Sequence, residues 1–117
     1  LTRGGLAAVL NELTAMINMG IMVEEASIPI DEPVRGLCEM LGFDPLYLTN
    51  EGKVLVVAES SIAQMVVEIM RSDPLGRNAE IIGEVTGDKR KLVTLHTSVG
   101  GNRILDMPSG TQLPRIC

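Results

Sequence analysis

Aromatic side chains are almost missing from this sequence: among 117 residues there is one Tyr, Tyr47, one Phe, Phe43, and no Trp. The core has to be assembled from Leu, Ile, Val, Ala and seven methionines, and stacking of nucleobases on aromatic rings is excluded as a binding mode. Positive charge is scarce too. Ten Lys and Arg stand against fifteen Asp and Glu, for a net charge of -5 and an isoelectric point near 4.8. No clustered basic surface is available to release counterions from a nucleic acid, and the one basic run, Lys89-Arg90-Lys91, reads as a solvated turn.

Cysteine is equally sparse. Cys38 and Cys117 are too few for a disulfide framework, which points to a reducing, cytoplasmic setting. The lone histidine, His96, has no second His or Cys at ligand spacing, so no metal site is expected. No apolar run approaches the roughly 20 residues of a membrane helix. No secretory signal pattern is present, and no membrane association is expected.

What is there suits a single globular unit: 45% of the residues are apolar, enough for a real core. The chain opens at Leu1 without a Met, inside a Thr-Arg-Gly-Gly stretch, and is read as a fragment of a longer protein whose missing part lies upstream. Leu6, Val9, Leu10, Leu13, Met16 and Ile17 recur at helical spacing, with Thr2 as a candidate cap and Gly20 as a stop. A short strand follows over 21–25. A second helix carries Val34, Leu37, Cys38 and Leu41 on one face and closes at Gly42.

Val54-Leu55-Val56-Val57-Ala58 is a continuous apolar run of the length of a buried strand. Ser61 with Gln64 forms a capping-box pattern for a third helix, with Ile62, Val66, Ile69 and Met70 inward, ending at Ser72-Asp73-Pro74. Strands are expected over 81–85, 92–97 and 103–106, separated by glycine turns. Helices and strands alternate and then strands cluster, so the fold class is α+β, one mixed β-sheet with helices covering one face. Residues 1–107 form this domain, and 108–117, rich in Pro, Ser, Gly, Thr and Gln, form a flexible tail.

Few residues suggest chemistry individually. Thr2, Arg3, Gly4 and Gly5 precede a helix whose unpaired N–H groups and positive dipole end favour an anion, and the glycines permit close backbone approach; the same glycines also suit plain tight packing. Asn50-Glu51-Gly52 is a turn sequence, in which partial burial of Glu51 would raise its pKa and suit it to proton transfer. Cys117 lies on a tail of about ten residues with a reach of roughly 33 to 36 Å. Such an arm can carry a sulfur-bound group between sites, with Arg115 as a nearby cation and Glu51 as a candidate base for the thiol.

Taken together, Thr2-Arg3-Gly4-Gly5-Leu6, Asp44-Pro45-Leu46-Tyr47 running into Asn50-Glu51-Gly52-Lys53, Asp73-Pro74-Leu75-Gly76 and the ending Leu113-Pro114-Arg115-Ile116-Cys117 closely resemble the C-terminal part of the HypE family. These are the hydrogenase expression/formation proteins of nickel–iron hydrogenase maturation, within the PurM-like superfamily of ATP-using enzymes. The resemblance implies a PurM C-terminal-like domain, with an N-terminal domain that dimerises and holds most of the ATP and Mg2+ absent from this chain.

It also implies a reaction. A carbamoyltransferase, HypF, places a carbamoyl group on the sulfur of Cys117. ATP activates the amide oxygen, loss of phosphate leaves a thiocyanate, and the cyano group passes to iron on a HypC and HypD complex. By the same resemblance, Glu51 is the candidate catalytic base beside Cys117, Thr2, Arg3, Gly4 and Gly5 lie near the nucleotide, and Asn50, Gly52 and Arg115 are candidates for contact with the substrate or the tail. The activity is then that of an ATP-dependent carbamoyl dehydratase in the full-length homodimer, with the isolated piece inactive. Two other readings are open: another PurM-like synthetase that phosphorylates a small amide or selenide, which leaves Cys117 without a task, and a noncatalytic interaction module. A thiol redox pair of Cys38 and Cys117 is disfavoured because Cys38 falls on a helix face expected to be buried.

Overall fold

A computed structural model describes residues 1–107; the expected tail, with Arg115 and Cys117, lies outside the described residues. Helix α1 spans Gly5–Ile17, strand β1 Gly20–Glu24, helix α2 Glu32–Leu41 and helix α3 Ser60–Arg71. Strands β2, Gly83–Thr86, β3, Val93–His96, and β4, Asn102–Ile104, follow. The strands form one mixed sheet in the order β2-β1-β3-β4. β1 is antiparallel to β2 and parallel to β3, with Ile21 opposite Val93 and Val23 opposite Leu95, and β4 returns antiparallel to β3. The expected α+β class with a mixed sheet is therefore the observed one.

The core sits between α1 and the sheet. Leu6, Ala7 and Leu10 of α1 pack with Ile21 and Val23 of β1, Val93 and Leu95 of β3, and Leu46 and Leu105 from the flanking segments. The inward positions of β1 and β3 alternate, as a strand with one buried face requires. Asn11 ties the helix to the far end of the chain: its Nδ2 donates to the carbonyls of Ala7 and Leu105, each at 2.8 Å.

Several local expectations differ from the structure. The cap of α1 is Gly4 rather than Thr2, and no side chain caps it. The helix ends at Asn18 in the left-handed region, and Gly20 opens β1 instead of stopping the helix. α3 starts at Ser60 behind an N-cap Glu59 that makes no side-chain bond, so the capping box of Ser61 and Gln64 does not form.

The largest difference is the apolar run at 54–58, which is not a strand. Val54 is 74% exposed, Val56 and Val57 are exposed as well, and no other strand pairs with them among the described residues. Apolar composition signals that a segment will be buried, not which partner will bury it. α2 and α3 show the same effect: Leu37, Met40 and Leu41 of the former and Ile62, Met65 and Ile69 of the latter are exposed, while Cys38 and Val67 are buried.

Candidate functional site

The start of α1 and the segment after α2 are built against each other. Gly4 and Gly5 both have positive φ, 71° and 63°. This folds the chain back so that the Gly5 N–H donates to the Thr2 carbonyl at 3.2 Å. No larger residue fits at Gly5, because a Cβ there would fall on the backbone oxygens of Leu46 and Leu48. Those oxygens belong to a stretch held by its own polar groups. Asp44 Oδ1 accepts from the Leu46 N–H at 3.0 Å and caps a single 3-10 turn at Pro45–Tyr47. Asp44 Oδ2 lies 2.9 Å from an Arg103 nitrogen on β4.

The chain then runs into Asn50-Glu51-Gly52, a turn closed by Gly52 at φ 74°. The Asn50 N–H donates to the Leu1 carbonyl at 3.0 Å, and the Leu1 nitrogen donates to the Lys53 carbonyl at 3.2 Å. The structure thus brings together two segments, 1–5 and 46–53, that forty residues of sequence separate. Thr2, Arg3 and Glu51 are exposed on this junction. Glu51 is exposed in the described chain, so the partial burial that would suit it to proton transfer is not present there.

Asn50 is turned toward its own loop. Its Oδ1 accepts from Lys53 Nζ at 2.6 Å, and its Nδ2 donates to the Leu48 carbonyl at 3.4 Å. Lys53 passed unnoticed as a site residue in the sequence, although it completes the Asn-Glu-Gly-Lys segment. The start of α1 has no side-chain cap and no acidic residue in its first turn.

The other polar clusters lie elsewhere. Glu24 Oε2 is 2.7 Å from His96 Nδ1 across β1 and β3, and His96 is half-buried. Glu25 accepts from both the N–H and the Oγ of Ser98, at 3.1 and 2.9 Å; these bonds hold its carboxyl below the usual range, against a smaller opposing effect of burial. Lys89-Arg90-Lys91 is an exposed turn in which Arg90 pairs with Asp88 at 2.7 Å. An open groove of about 700 Å³ lies between the segment before α2 and the end of α3, with Ser27, Ile28, Asp31, Arg71 and Arg77 in its walls. None of these clusters contains a residue that the sequence marks as a candidate for the site. Among the described residues, no cluster of His, Cys, Asp and Glu could hold a metal ion, and no helix is long and apolar enough to cross a membrane.

The chain is similar throughout to known proteins. The family described as AIR synthase related protein, C-terminal domain, matches residues 1–96. The carbamoyl dehydratase HypE of Azotobacter vinelandii is 48% identical over 116 residues, covering 99% of this chain and 34% of the relative. A solved HypE–HypF complex matches with a TM-score of 0.86 at 48% identity, over 92% of this chain and 34% of the other. The hydrogenase maturation protein HypE in complex with ATP matches with a TM-score of 0.91 at 39% identity, over 99% of this chain and 36% of the other. The chain spans about one third of the length of the curated relatives it matches. The match over residues 1–96 thus places the chain in the AIR synthase related C-terminal domain family, and its likeness over 99% of its length is to the HypE proteins.

Proposed function

We propose that this chain is part of an ATP-dependent carbamoyl dehydratase of hydrogenase maturation. It carries a carbamoyl group on the Cys117 thiol and converts it to a thiocyanate whose cyano group goes to the iron of the hydrogenase site. The observation that carries this reading is the likeness to HypE proteins across 99% of the chain, together with the meeting of 1–5 and 46–53 at one surface. The enzyme would act in the cytoplasm as a homodimer, receive its carbamoyl group from HypF, and deliver cyanide to a HypC and HypD complex. A solved HypE–HypF complex supports the first of these partners.

The division of labour follows from the chemistry. ATP, with Mg2+ and held mainly by a part of the enzyme outside this chain, supplies the phosphoryl group that turns the carboxamide oxygen into a leaving group. Thr2, Arg3, Gly4 and Gly5 would hold the anionic end of the nucleotide, since the uncapped start of α1 favours negative charge. Glu51 would accept a proton from the carboxamide nitrogen, or from the thiol when it is loaded. Its exposure leaves it open to a tail arriving from outside. Asn50 and Gly52, with Lys53, fix the turn that presents Glu51, and Arg115 offers a cation beside the thiol.

Incubation of the full-length protein with HypF, carbamoyl phosphate and ATP tests the carrier role. Intact-mass analysis is expected to show a carbamoyl adduct on the wild type and none on Cys117→Ala. An adduct of equal yield on Cys117→Ala would overturn it.

A further inference from the structure

Residues 54–58 combine two features that rarely persist in a folded protein. Their side chains are apolar and largely exposed. Their backbone groups also take part in no strand pairing and no turn among the described residues. A stretch of extended chain with free N–H and C=O groups is a template for another strand. Leu55 packs against the core, while Val54, Val56 and Val57 are 74%, 52% and 57% exposed.

The bonds at one end of this stretch indicate where its partner comes from. Along Leu1, from its carbonyl to its nitrogen, the bonded partners advance from Asn50 to Lys53. Two chains that pair in opposite order run antiparallel. Polypeptide extended backwards from the Leu1 nitrogen is therefore aimed along 54–58 in the antiparallel sense. Leu1 already occupies the Lys53 end, where a strand from another molecule would have to compete with it.

We infer that residues 54–58 are one half of an antiparallel pair whose other half is the polypeptide immediately preceding Leu1 in the full-length protein. This rests on the reading of the chain as part of a longer enzyme. The incoming strand is extended, with apolar residues on the side it shares with Val54 and Val56. It is joined directly to Thr2, Arg3, Gly4 and Gly5, while its partner strand is joined directly to Glu51 through Gly52 and Lys53. One ladder then anchors both halves of the proposed site, and the Glu51 turn becomes the end of a strand pair instead of a free loop.

Residue-resolved hydrogen exchange on the full-length protein tests the pairing, and a cysteine cross-link identifies the partner. Amides within 54–58 are expected to exchange at least tenfold more slowly than unstructured peptide, at all protein concentrations. In a cysteine-free background, cysteines at Val56 and at the third residue before Leu1 should form an intrachain disulfide under a mild oxidant. Exchange at the unstructured rate would overturn the inference. So would an interchain disulfide with protection that fades on dilution, which would make a second copy the occupant. Neither readout uses carbamoyl chemistry, so a wild-type full-length protein that shows the slowed exchange yet takes no carbamoyl group on Cys117 would refute the proposed function and leave the pairing standing.

Discussion

At Gly5 the backbone sits at φ 63°, a conformation that costs a residue with a Cβ about 1–2 kcal/mol. A Cβ there would also meet the Leu46 and Leu48 carbonyls. Gly5→Ala is expected to lower stability by about 2–4 kcal/mol, read as a shift in the denaturation midpoint at unchanged slope. Glu51→Gln tests chemistry at the same junction. In the full-length protein it should leave carbamoylation of Cys117 intact and slow thiocyanate formation about 10²–10⁴-fold, the range for loss of a general base. Loss of carbamoylation itself would move Glu51 to the loading step.

Glu25 gives a pH signature. Its carboxyl is held below the ordinary value of 4.5 by the two bonds from Ser98, so the ionised form is favoured by folding. The stability difference between wild type and Glu25→Gln should be constant above about pH 4.5. It should shrink as the pH falls below that, through the lowered pKa of the folded state. A difference that grows toward acid would contradict the assignment.

Among the elements, the stretch from Asp44 to Leu48 carries more than its length suggests. Asp44 caps the 3-10 turn with one oxygen and pairs with Arg103 through the other. Asp44→Ala removes both and is expected to cost about 1–2 kcal/mol in chemical denaturation. Asp44→Asn, which keeps a capping oxygen, should recover part of the loss. This turn and its twin at Pro74–Gly76, where the Asp73 carboxylate accepts from the Leu75 N–H, were open to sequence reading, since Asp-Pro marks a capped turn.

The amphipathic period of α1, α2 and α3 and the short strands of the last third were legible because they are local patterns. Their ends were less so: Asn18 and Gly4 set the limits of α1 through backbone angles that composition does not specify. The parallel pairing of β1 with β3 was not legible, because it joins residues more than seventy positions apart. The run at 54–58 reads as a buried strand, yet its neighbour is not among the described residues. In the site, Glu51 and Thr2 to Gly5 could be named from the sequence, but only the fold places them at one surface, and it shows Asn50 and Lys53 bonded to each other.

For the molecule as a whole, the balance of covered and uncovered apolar surface is uneven. Leu95, Leu105, Val23 and Val93 are fully buried, while Leu75 is 99% exposed and the outer residues of α2 and α3 lie open. Exposed apolar area on this scale marks a surface that another part of an assembly covers. The 117-residue chain alone is expected to bind a hydrophobic dye strongly and to show no ATP turnover. The full-length protein should bind little dye and turn over ATP once Cys117 is carbamoylated. Robust turnover by the short chain would overturn the assignment of most of the nucleotide site to the rest of the enzyme.

The bond from Asn11 to the Leu105 carbonyl spans 94 positions, and it bears on how fast the domain can form. β1 cannot acquire its parallel neighbour, nor α1 its polar tie, until nearly the whole described chain is in place, so the loop-closure entropy comes due before the core contacts repay it. Contacts of this span belong to the topologies that fold slowly. Leu105, at 0% exposure, stands where the first helix and the last described segment meet, so closing that loop is a cost the core contacts must repay.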